Sequence, residues 1–427
     1  MSSSHALSDA LPQTHPLHDQ AAAANPAVRS TVLEQLTADG PTAVACRVAA
    51  AALADADAGV REEAARWCTN HPTSDVAAEV APQIRSDDIT TRNLAGEVLA
   101  DLGACAVHAL RPLVRDDDHD VRKFAIDVLA QIPESASVAD VIAKRLDDDD
   151  PNVRLAAVAA LGELGASQYA DALRTLYDAD PLARPDVVTA MGAFGAEADL
   201  ALLEHALSDD NPVVQLSAAE ALASQDAPSV LDRLLRQVEH VNPMARPIVL
   251  NSIIERCERS PEAEVHLPDS LEPHLQEMLA DPSSEYRCAA ARGLRFFSTE
   301  QTVESMLAHA GTDDELDVEL FKTLTRHPDP FAPVHRATAS NRMAPGAAAT
   351  FTLGLLAQDA ISPAALQRAG SFLQRHFDHL TADDKMTAVG LCQQLGRPEL
   401  HPVIEAAQSD PDPSIRAFAE DIAVPQP

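Results

Sequence analysis

Residues 150–165 read Asp-Pro-Asn-Val-Arg-Leu-Ala-Ala-Val-Ala-Ala-Leu-Gly-Glu-Leu-Gly. The stretch begins with Asp150 and places Arg154 four residues later, at the head of an alanine-rich segment. The same pairing recurs at Asp57/Arg61, Asp88/Arg92, Asp118/Arg122, Asp180/Arg184, Asn211/Gln215, Asn242/Arg246 and Ser283/Arg287. The second members lie 30 to 32 residues apart, except for one step of 41 residues. A nearly constant period of this length predicts a stacked array of repeats.

Each repeat is predicted to begin a helix at the first member of its pair, because Asp, Asn and Ser cap helix N-termini by accepting hydrogen bonds from free backbone N–H groups. Three and seven positions after the second member, the residues are small or apolar, from Ala64 and Cys68 in the first repeat to Ala290 and Leu294 in the last. Spacings of three, four and seven lie on one helical face. These two columns therefore predict a buried stripe.

Further amphipathic segments lie between these helices, for example at 74–85 and 105–115. Gly103, Gly165 and Gly195 stand where a residue in the left-handed conformation ends one helix before the next begins. The repeat unit is therefore predicted to be a helical hairpin.

Residues 150–165 resemble the HEAT-repeat superfamily, most closely the short repeats of phycobilisome-lyase-type proteins, with degenerate copies across 55–330 and at 412–416. The resemblance implies an all-α fold, a right-handed α-solenoid of about 12 HEAT-type helical hairpins. It also implies that the turn Asp and the following Arg form a ladder of hydrogen bonds between repeats. The residues predicted for the ladder and the helix caps are Asp57, Arg61, Asp88, Arg92, Asp118, Arg122, Asp150, Arg154, Asp180, Arg184, Arg246 and Arg287.

Three regions are predicted along the chain. Residues 1–25 show no apolar period and no signal-peptide pattern, so we expect a disordered N-terminal lead. Residues 26–330 form the regular array, with an insertion at 260–269 that accounts for the long step and maps to a surface loop. Residues 331–427 form irregular C-terminal repeats and a cap. The phenylalanines of this last part are predicted to be core, with a partner-binding groove as the alternative.

The chain is strongly acidic, with 66 Asp and Glu against 32 Lys and Arg and a net charge of −34. Few lysines, excess Asp and few aromatic residues favour a halophilic source, and the Asp runs at 116–118 and 147–150 are interpreted as solvated turns. The acidic balance argues against binding to nucleic acid phosphates. No apolar run of ~18 residues occurs, so we expect a cytoplasmic protein without a membrane span.

The positions five and nine residues after the arginine column are polar and variable, which is typical of the solvent side of a helix. They predict a partner-binding face on the second helices of the hairpins, those that begin at the Asp column. The candidate partner-binding residues are Arg66, Glu97, Asp101, Asp127, Glu163, Glu220, Asn251, Glu255 and Arg292. Because acidic members outnumber basic ones, we expect a protein partner with a basic segment. The oligomeric state is left open.

No motif with a fixed catalytic meaning occurs, so catalytic, cofactor-binding and metal-binding residues are each predicted to be none. None of the 16 histidines precedes a Glu, which excludes the di-iron pattern of deoxyhypusine hydroxylase-like HEAT proteins. The six cysteines are predicted to be reduced core thiols, with Cys288 the first to test as a nucleophile. Weaker metal hypotheses concern two histidine pairs and the acidic residues near the second, namely His15 with His18, and His376 with His379 and Asp383 or Asp384.

The sequence therefore predicts a non-catalytic HEAT-repeat scaffold or adaptor. The alternative is a HEAT-repeat enzyme subunit or cofactor-delivery chaperone of the lyase-like type. A nucleic-acid-binding solenoid is disfavoured by the charge.

Overall fold

The structure is a computed structural model and describes residues 6–38, 40–132, 136–259, 267–297, 299–327, 329–357 and 361–420. The described residues form α-helices and short 3-10 helices, without a β-strand among them. The chain divides into two compact units, Met1–Asn242 and Pro243–Pro427. This division differs from the boundary near residue 330 that the sequence pattern suggested. The predicted all-α solenoid of about 12 helical hairpins is confirmed.

In the first unit the helices are α1 Ala6–Asp9, α2 His18–Ala21, α3 Pro26–Thr37, α4 Ala43–Ala52, α5 Ala58–Asn70, α6 Ser74–Val80, α7 Ile89–Asp101, α8 Ala104–Leu110, α9 His119–Ala130, α10 Ala136–Ala143, α11 Pro151–Glu163, α12 Ala170–Ala179, α13 Arg184–Ala193, α14 Leu200–Ala206, α15 Pro212–Ala223 and α16 Ser229–Gln237. The 3-10 helices are Ala81–Arg85, Leu113–Arg115, Ser167–Tyr169 and Gly195–Glu197.

In the second unit the helices are α17 Arg246–Arg259, α18 Glu272–Met278, α19 Ser284–Leu294, α20 Glu300–Leu307, α21 Asp314–Thr325, α22 Phe331–Ala339, α23 Pro345–Leu356, α24 Pro363–His376, α25 Ala382–Leu395, α26 His401–Gln408 and α27 Pro413–Glu420. The 3-10 helices are Asp269–Leu271, Phe377–His379 and Pro398–Leu400.

From α3 onward, the odd-numbered helices are the second helices of the hairpins and the even-numbered ones are the first helices. Within each unit the second helices pack on one another, as α9, α11, α13 and α15 do, and the first helices pack in a row of their own, as α4, α6 and α8 do. Both predicted apolar columns of the second helices are buried. Every residue of the two columns, from Ala64 and Cys68 to Ala290 and Leu294, is at most 1% exposed. Gly103, Gly165 and Gly195 have φ near +60°, which fits the predicted left-handed turns between helices.

Five of the eight residues in the first column of the pairs cap a helix. Side-chain oxygens of five residues accept hydrogen bonds from the first turn of the helix that follows: Asp57, Asp88, Asp118, Asp150 and Asn211. Asp180 does not cap a helix, because α13 begins only at Arg184. Its Oδ2 instead accepts a hydrogen bond from Arg154 Nη2 at 2.8 Å. The Ser283 side chain makes no capping hydrogen bond.

A second aspartate, two residues before the cap, joins successive repeats. Asp148 accepts from Arg122 of the preceding repeat, at 2.8 Å from Nη2 to Oδ1 and 3.1 Å from Nε to Oδ2. Its Oδ1 also accepts from the backbone N–H of Asp150 at 3.1 Å. Its backbone carbonyl accepts from Arg154 Nη1 of its own repeat at 2.9 Å. One buried aspartate thus ties α9 to the turn that precedes α11.

The arrangement recurs through both units. The pairs that join one repeat to the next are Arg29–Asp55, Arg122–Asp148, Arg154–Asp180, Arg184–Asp209, Arg287–Asp313 and Lys385–Asp410. The first is the most buried, since the side chains of Arg29 and Asp55 are only 3% and 1% exposed. Four arginines of the column, Arg122, Arg154, Arg184 and Arg287, thus join successive repeats, and in most of the six pairs the acceptor is a different aspartate from the helix cap.

Two expectations are wrong. The runs 116–118 and 147–150 are not merely solvated turns, because Asp148 is buried and the Asp116 carboxylate accepts from Arg85 at 2.7 Å. Arg92 lies over the Phe124 ring, 6.0 Å from its centroid, and makes no ion pair within the described residues. Arg246 Nη1 lies 3.5 Å from His274 Nδ1.

The expectation of a disordered lead is also wrong for residues 6–25, which the structure describes. Leu7 and Leu11 are 1% and 5% exposed, and α1 packs against α4. Asn25 caps α3 through a hydrogen bond from Ala27 N at 3.1 Å, and Arg29 follows four residues later. The array therefore starts one repeat before the first recognised pair.

The C-terminal phenylalanines behave as predicted for the most part. Phe331, Phe351, Phe372 and Phe377 are buried, whereas Phe418 is 45% exposed. Residues 260–266 of the predicted insertion lie outside the described residues. Of its other residues, Leu267 is 2% exposed, whereas Pro268 and Asp269 are exposed, and Asp269 begins the 3-10 helix Asp269–Leu271.

Replacing Asp148 with Ala is expected to destabilise the fold more than replacing Asp150. The first change leaves the partly buried Arg122 without its carboxylate, for a cost of about 2–3 kcal/mol. The second removes a helix cap, for about 1 kcal/mol. Urea unfolding monitored by circular dichroism measures both changes. Equal losses in the two variants would contradict the distinct roles of ladder and cap.

The ladder also makes the free energy of unfolding depend on pH. Hydrogen bonds from Ser284 and Arg287 lower the pKa of Asp313 to about 2. A carboxyl with a lowered folded-state pKa stabilises the fold above its unfolded value of about 4, and this contribution is lost as pH falls toward 2. The melting temperature of Asp313→Asn should therefore lie below that of the wild type at pH 7 and converge with it near pH 2. The exposed Asp171→Asn is the control and should track the wild type at all pH values.

Candidate interaction surface

The second helices of the first unit carry a row of exposed polar side chains on the side away from the buried columns. Five of the predicted partner-binding residues are exposed there: Arg66, Glu97, Asp101, Glu163 and Glu220. Their exposure follows from the helical period, because positions five and nine residues after the arginine point away from positions three and seven. We call the four acidic residues among them the acidic row.

The four carboxylates of the acidic row make no ion pair within the described residues. The predicted neighbour Asp127 differs, because it is half-buried and pairs with Lys123 of its own helix at 2.8 Å. The acidic row therefore presents negative charge that the fold itself does not neutralise.

The predicted residues of the second unit are engaged with their neighbours. Asn251 Nδ2 donates to Glu255 Oε1 at 3.3 Å, and Arg259 lies 3.4 Å from the same carboxylate. Arg292 Nε lies 3.2 Å from Glu258 Oε2. Asn251, Glu255 and Arg292 are all half-buried. The predicted binding face is therefore open in the first unit and largely self-paired in the second.

The second unit has an apolar cleft beside the C-terminal phenylalanines, for which a groove was the alternative to core packing. It lies between α21 and α23, has a volume of about 410 Å³, and is lined by Phe321 and Phe351, with Val318 53% exposed at its edge. Gly354 makes room for it, because a Cβ at this position would lie 2.8 Å from the Phe321 ring. The signal for this cleft in the sequence is Gly354 on α23 opposite Phe321 on α21, the preceding second helix. However, α23 lacks the Asp/Arg pair that would have aligned it with the other repeats.

The cysteines are mostly core residues. Burial raises the pKa of Cys68 and Cys392 to about 12 and that of Cys257 to about 11. Cys288 is only 7% exposed and burial raises its pKa as well, which argues against the suggested role as a nucleophile. Cys105 is the exception to the predicted core thiols, because it is half-buried and its Sγ donates to Pro72 O at 3.4 Å.

Neither histidine pair is joined by a third ligand in the way that a metal site requires. The rings of His376 and His379 are 5.9 Å apart between centroids. Within the part of the chain that the structure describes, one group of three residues brings ligand atoms together, Asp118, His119 and Asp120, and all three are exposed. Exposed acidic groups of this kind are common in the absence of a metal.

Two sequence comparisons bear on the repeats. Residues 107–191 and 139–223 match the family model of HEAT repeats. No curated protein matches the chain in sequence. The repeats at the centre of the first unit are thus HEAT repeats, as the resemblance implied.

Solved structures support the fold. A Kap95p structure with RanGDP has a TM-score of 0.52 at 13% identity and matches 98% of this chain and 69% of Kap95p. Kap121p gives 0.46 at 12% identity, and this chain covers 47% of its length. The complex of CpcE and CpcF of phycocyanin lyase from Nostoc sp. PCC7120 gives 0.32 at 19% identity, covering 58% of this chain and 94% of that one. At 13% identity the likeness to Kap95p shows the fold alone, and the two structures with a TM-score below 0.5 add no further support.

None of the helices in the described residues has the length and the apolar run that crossing a bilayer requires.

Thiol labelling is expected to separate Cys105 from the other five cysteines. The thiolate is the reactive form, so burial and a raised pKa slow the reaction. In native protein at pH 8, Ellman's reagent should label one thiol fast, and a Cys105→Ser variant should lose that phase. All six thiols should react at one rate in denaturant. A fast phase that persists in Cys105→Ser and vanishes in Cys288→Ser would contradict the assignment.

Proposed function

We propose that the chain is a non-catalytic scaffold or adaptor that binds a protein partner through the acidic row of the first unit. The observation that carries the proposal is the set of unpaired, exposed carboxylates on α7, α11 and α15, namely Glu97, Asp101, Glu163 and Glu220. The HEAT-repeat solenoid supports it, because such arrays bind through extended surfaces built from many repeats.

The partner that fits this row is a protein segment rich in Arg or Lys. A single exposed ion pair contributes only about 0–1 kcal/mol, so affinity must come from several repeats acting together. The ladder holds the second helices at fixed spacing, which lets a basic segment meet several carboxylates without reordering the scaffold. Screening by salt should weaken the complex, since the contacts are exposed.

We further infer a cytoplasmic location and the absence of a catalytic role. The buried thiols support the second inference, because a nucleophilic cysteine needs an accessible thiolate. The alternative of a lyase-like enzyme subunit or cofactor-delivery chaperone gains no support from the residues of the acidic row. A halophilic source stays a prediction from composition.

Charge reversal of Glu97 and Asp101 together is the test. Both side chains are exposed on α7 and unpaired, so Glu97→Lys with Asp101→Lys should leave the melting temperature nearly unchanged. It should weaken partner capture about tenfold or more, because it replaces two attractive contacts with repulsive ones. Proteins retained by the immobilised wild type and variant from the native host are quantified by mass spectrometry, and the affinity of the main retained protein is then measured.

The matched control is Asp171→Lys with Asp178→Lys. These exposed carboxylates lie on α12, a first helix, and the change in net charge is the same. The control should retain the same proteins as the wild type. If both double variants lose them equally, net charge and not the acidic row determines binding. If neither loses them, the acidic row is not the binding surface.

A further inference from the structure

A cleft between α22 and α24, two first helices of the second unit, is lined by several basic residues. Its volume is about 810 Å³, within the range of sites that hold small organic ligands. The charged and titratable residues that line it are His335, Arg336, Arg368, Arg375 and His376, and none of the described residues lining it is Asp or Glu. In a chain with twice as many acidic as basic residues, this lining concentrates positive charge.

One wall of the cleft is an aromatic stack. The His335 ring lies parallel to Phe372, with 4.1 Å between centroids and 13° between planes, and His376 follows at 4.5 Å from Phe372. Burial lowers the pKa of His335 to about 4, and the nearby charges of Arg368 and Arg375 act in the same direction. His335 is therefore neutral at pH 7, and the stack gives the cleft an aromatic side against which the body of a ligand can pack.

Two buried nitrogen atoms on the cleft are without a hydrogen-bond partner among the described residues. They are His335 Nε2 and Arg336 Nη2. Arg336 Nε is held by Glu304 Oε1 at 2.9 Å, whereas Nη2 lies 3.5 Å from its nearest carboxylate oxygen, on Glu300. Buried polar atoms without partners are few in folded proteins.

The three arginines differ in how far the fold already uses them. Arg368 is bound to Asp329, and Arg336 is bound to Glu304. Arg375 is exposed and makes no ion pair within the described residues. Beside its aromatic wall, the cleft therefore has one guanidinium without an ion pair, that of Arg375. A second, that of Arg336, is bound through its Nε.

We propose that this cleft binds a small organic phosphate, with Arg375 and Arg336 holding the phosphate and the stack of His335, Phe372 and His376 carrying the body of the ligand. Guanidinium groups bind phosphate through paired, charge-assisted hydrogen bonds. A planar body suits the stack, and the volume of the cleft suits a small molecule. A phosphorylated protein segment shares the phosphate chemistry but would need backbone contacts beyond the cleft. The site lies on first helices and does not depend on the acidic row.

Calorimetric titration of the full chain tests the proposal, with phenyl phosphate, inorganic phosphate and phenol as probes in a low-salt buffer. Phenyl phosphate should bind one site per chain and more tightly than inorganic phosphate, and phenol should not bind at the same concentrations. Arg375→Gln should weaken phenyl phosphate by about tenfold or more, since a charge-assisted contact is lost. Arg397→Gln, which removes another exposed arginine without an ion pair among the described residues, should leave the affinity unchanged.

Several outcomes would overturn the proposal. One is the absence of saturable heat with either phosphate probe while circular dichroism shows a folded chain. Another is equal affinity of the wild type and Arg375→Gln for phenyl phosphate. Phenol binding as tightly as phenyl phosphate would make the cleft an apolar pocket. A short peptide centred on phosphotyrosine that binds more than about tenfold tighter than phenyl phosphate would assign the cleft to a modified protein segment instead.

Discussion

The contact on which the fold depends is the carboxylate that a turn offers to a basic side chain of the preceding repeat, as it does at six places along the chain. At Asp148 one side chain accepts two hydrogen bonds from Arg122 and one from the backbone of the next helix cap. A planar guanidinium and a carboxylate match in geometry, so the pair fixes direction as well as distance. Since the contact recurs with the period of the sequence, it sets the spacing of the second helices within each unit.

This ladder changes how the acidity of the chain is understood. Asp55, Asp148 and Asp410 are buried and paired, so part of the excess Asp belongs to the fold. A buried pair stabilises little by itself, yet losing one partner is costly because it leaves the other charge uncompensated. The carboxylates available to a partner are those that do not take part in the ladder. In the first unit these belong to the acidic row, which lies one to two turns after the arginine column on the second helices.

The sequence was sufficient for the hairpins and for the buried columns because both follow from helical periodicity. It was not sufficient for the ladder acceptors, since Asp148 and Asp150 are two residues apart in one acidic run and their roles differ only in three dimensions. The first repeat was missed although Asn25 and Arg29 have the same spacing as the other pairs. The lack of an apolar period suggested disorder, but Leu7 and Leu11 are buried and α1 packs against α4.

The two candidate sites differ in how far they could be predicted, because only one of them lies within the repeat alignment. The acidic row lies within the repeat alignment, so counting from the arginine column finds Glu97 and Asp101 without a structure. The cleft at His335 and Phe372 lies on first helices, where no column of paired residues fixes an alignment, and it brings together residues about 40 positions apart. Its arginines are distinctive only because the described residues that line it include no carboxylate. The chain is strongly acidic, so a concave site without carboxylates in its lining is unusual. This absence indicates an anionic ligand more strongly than the arginines alone do.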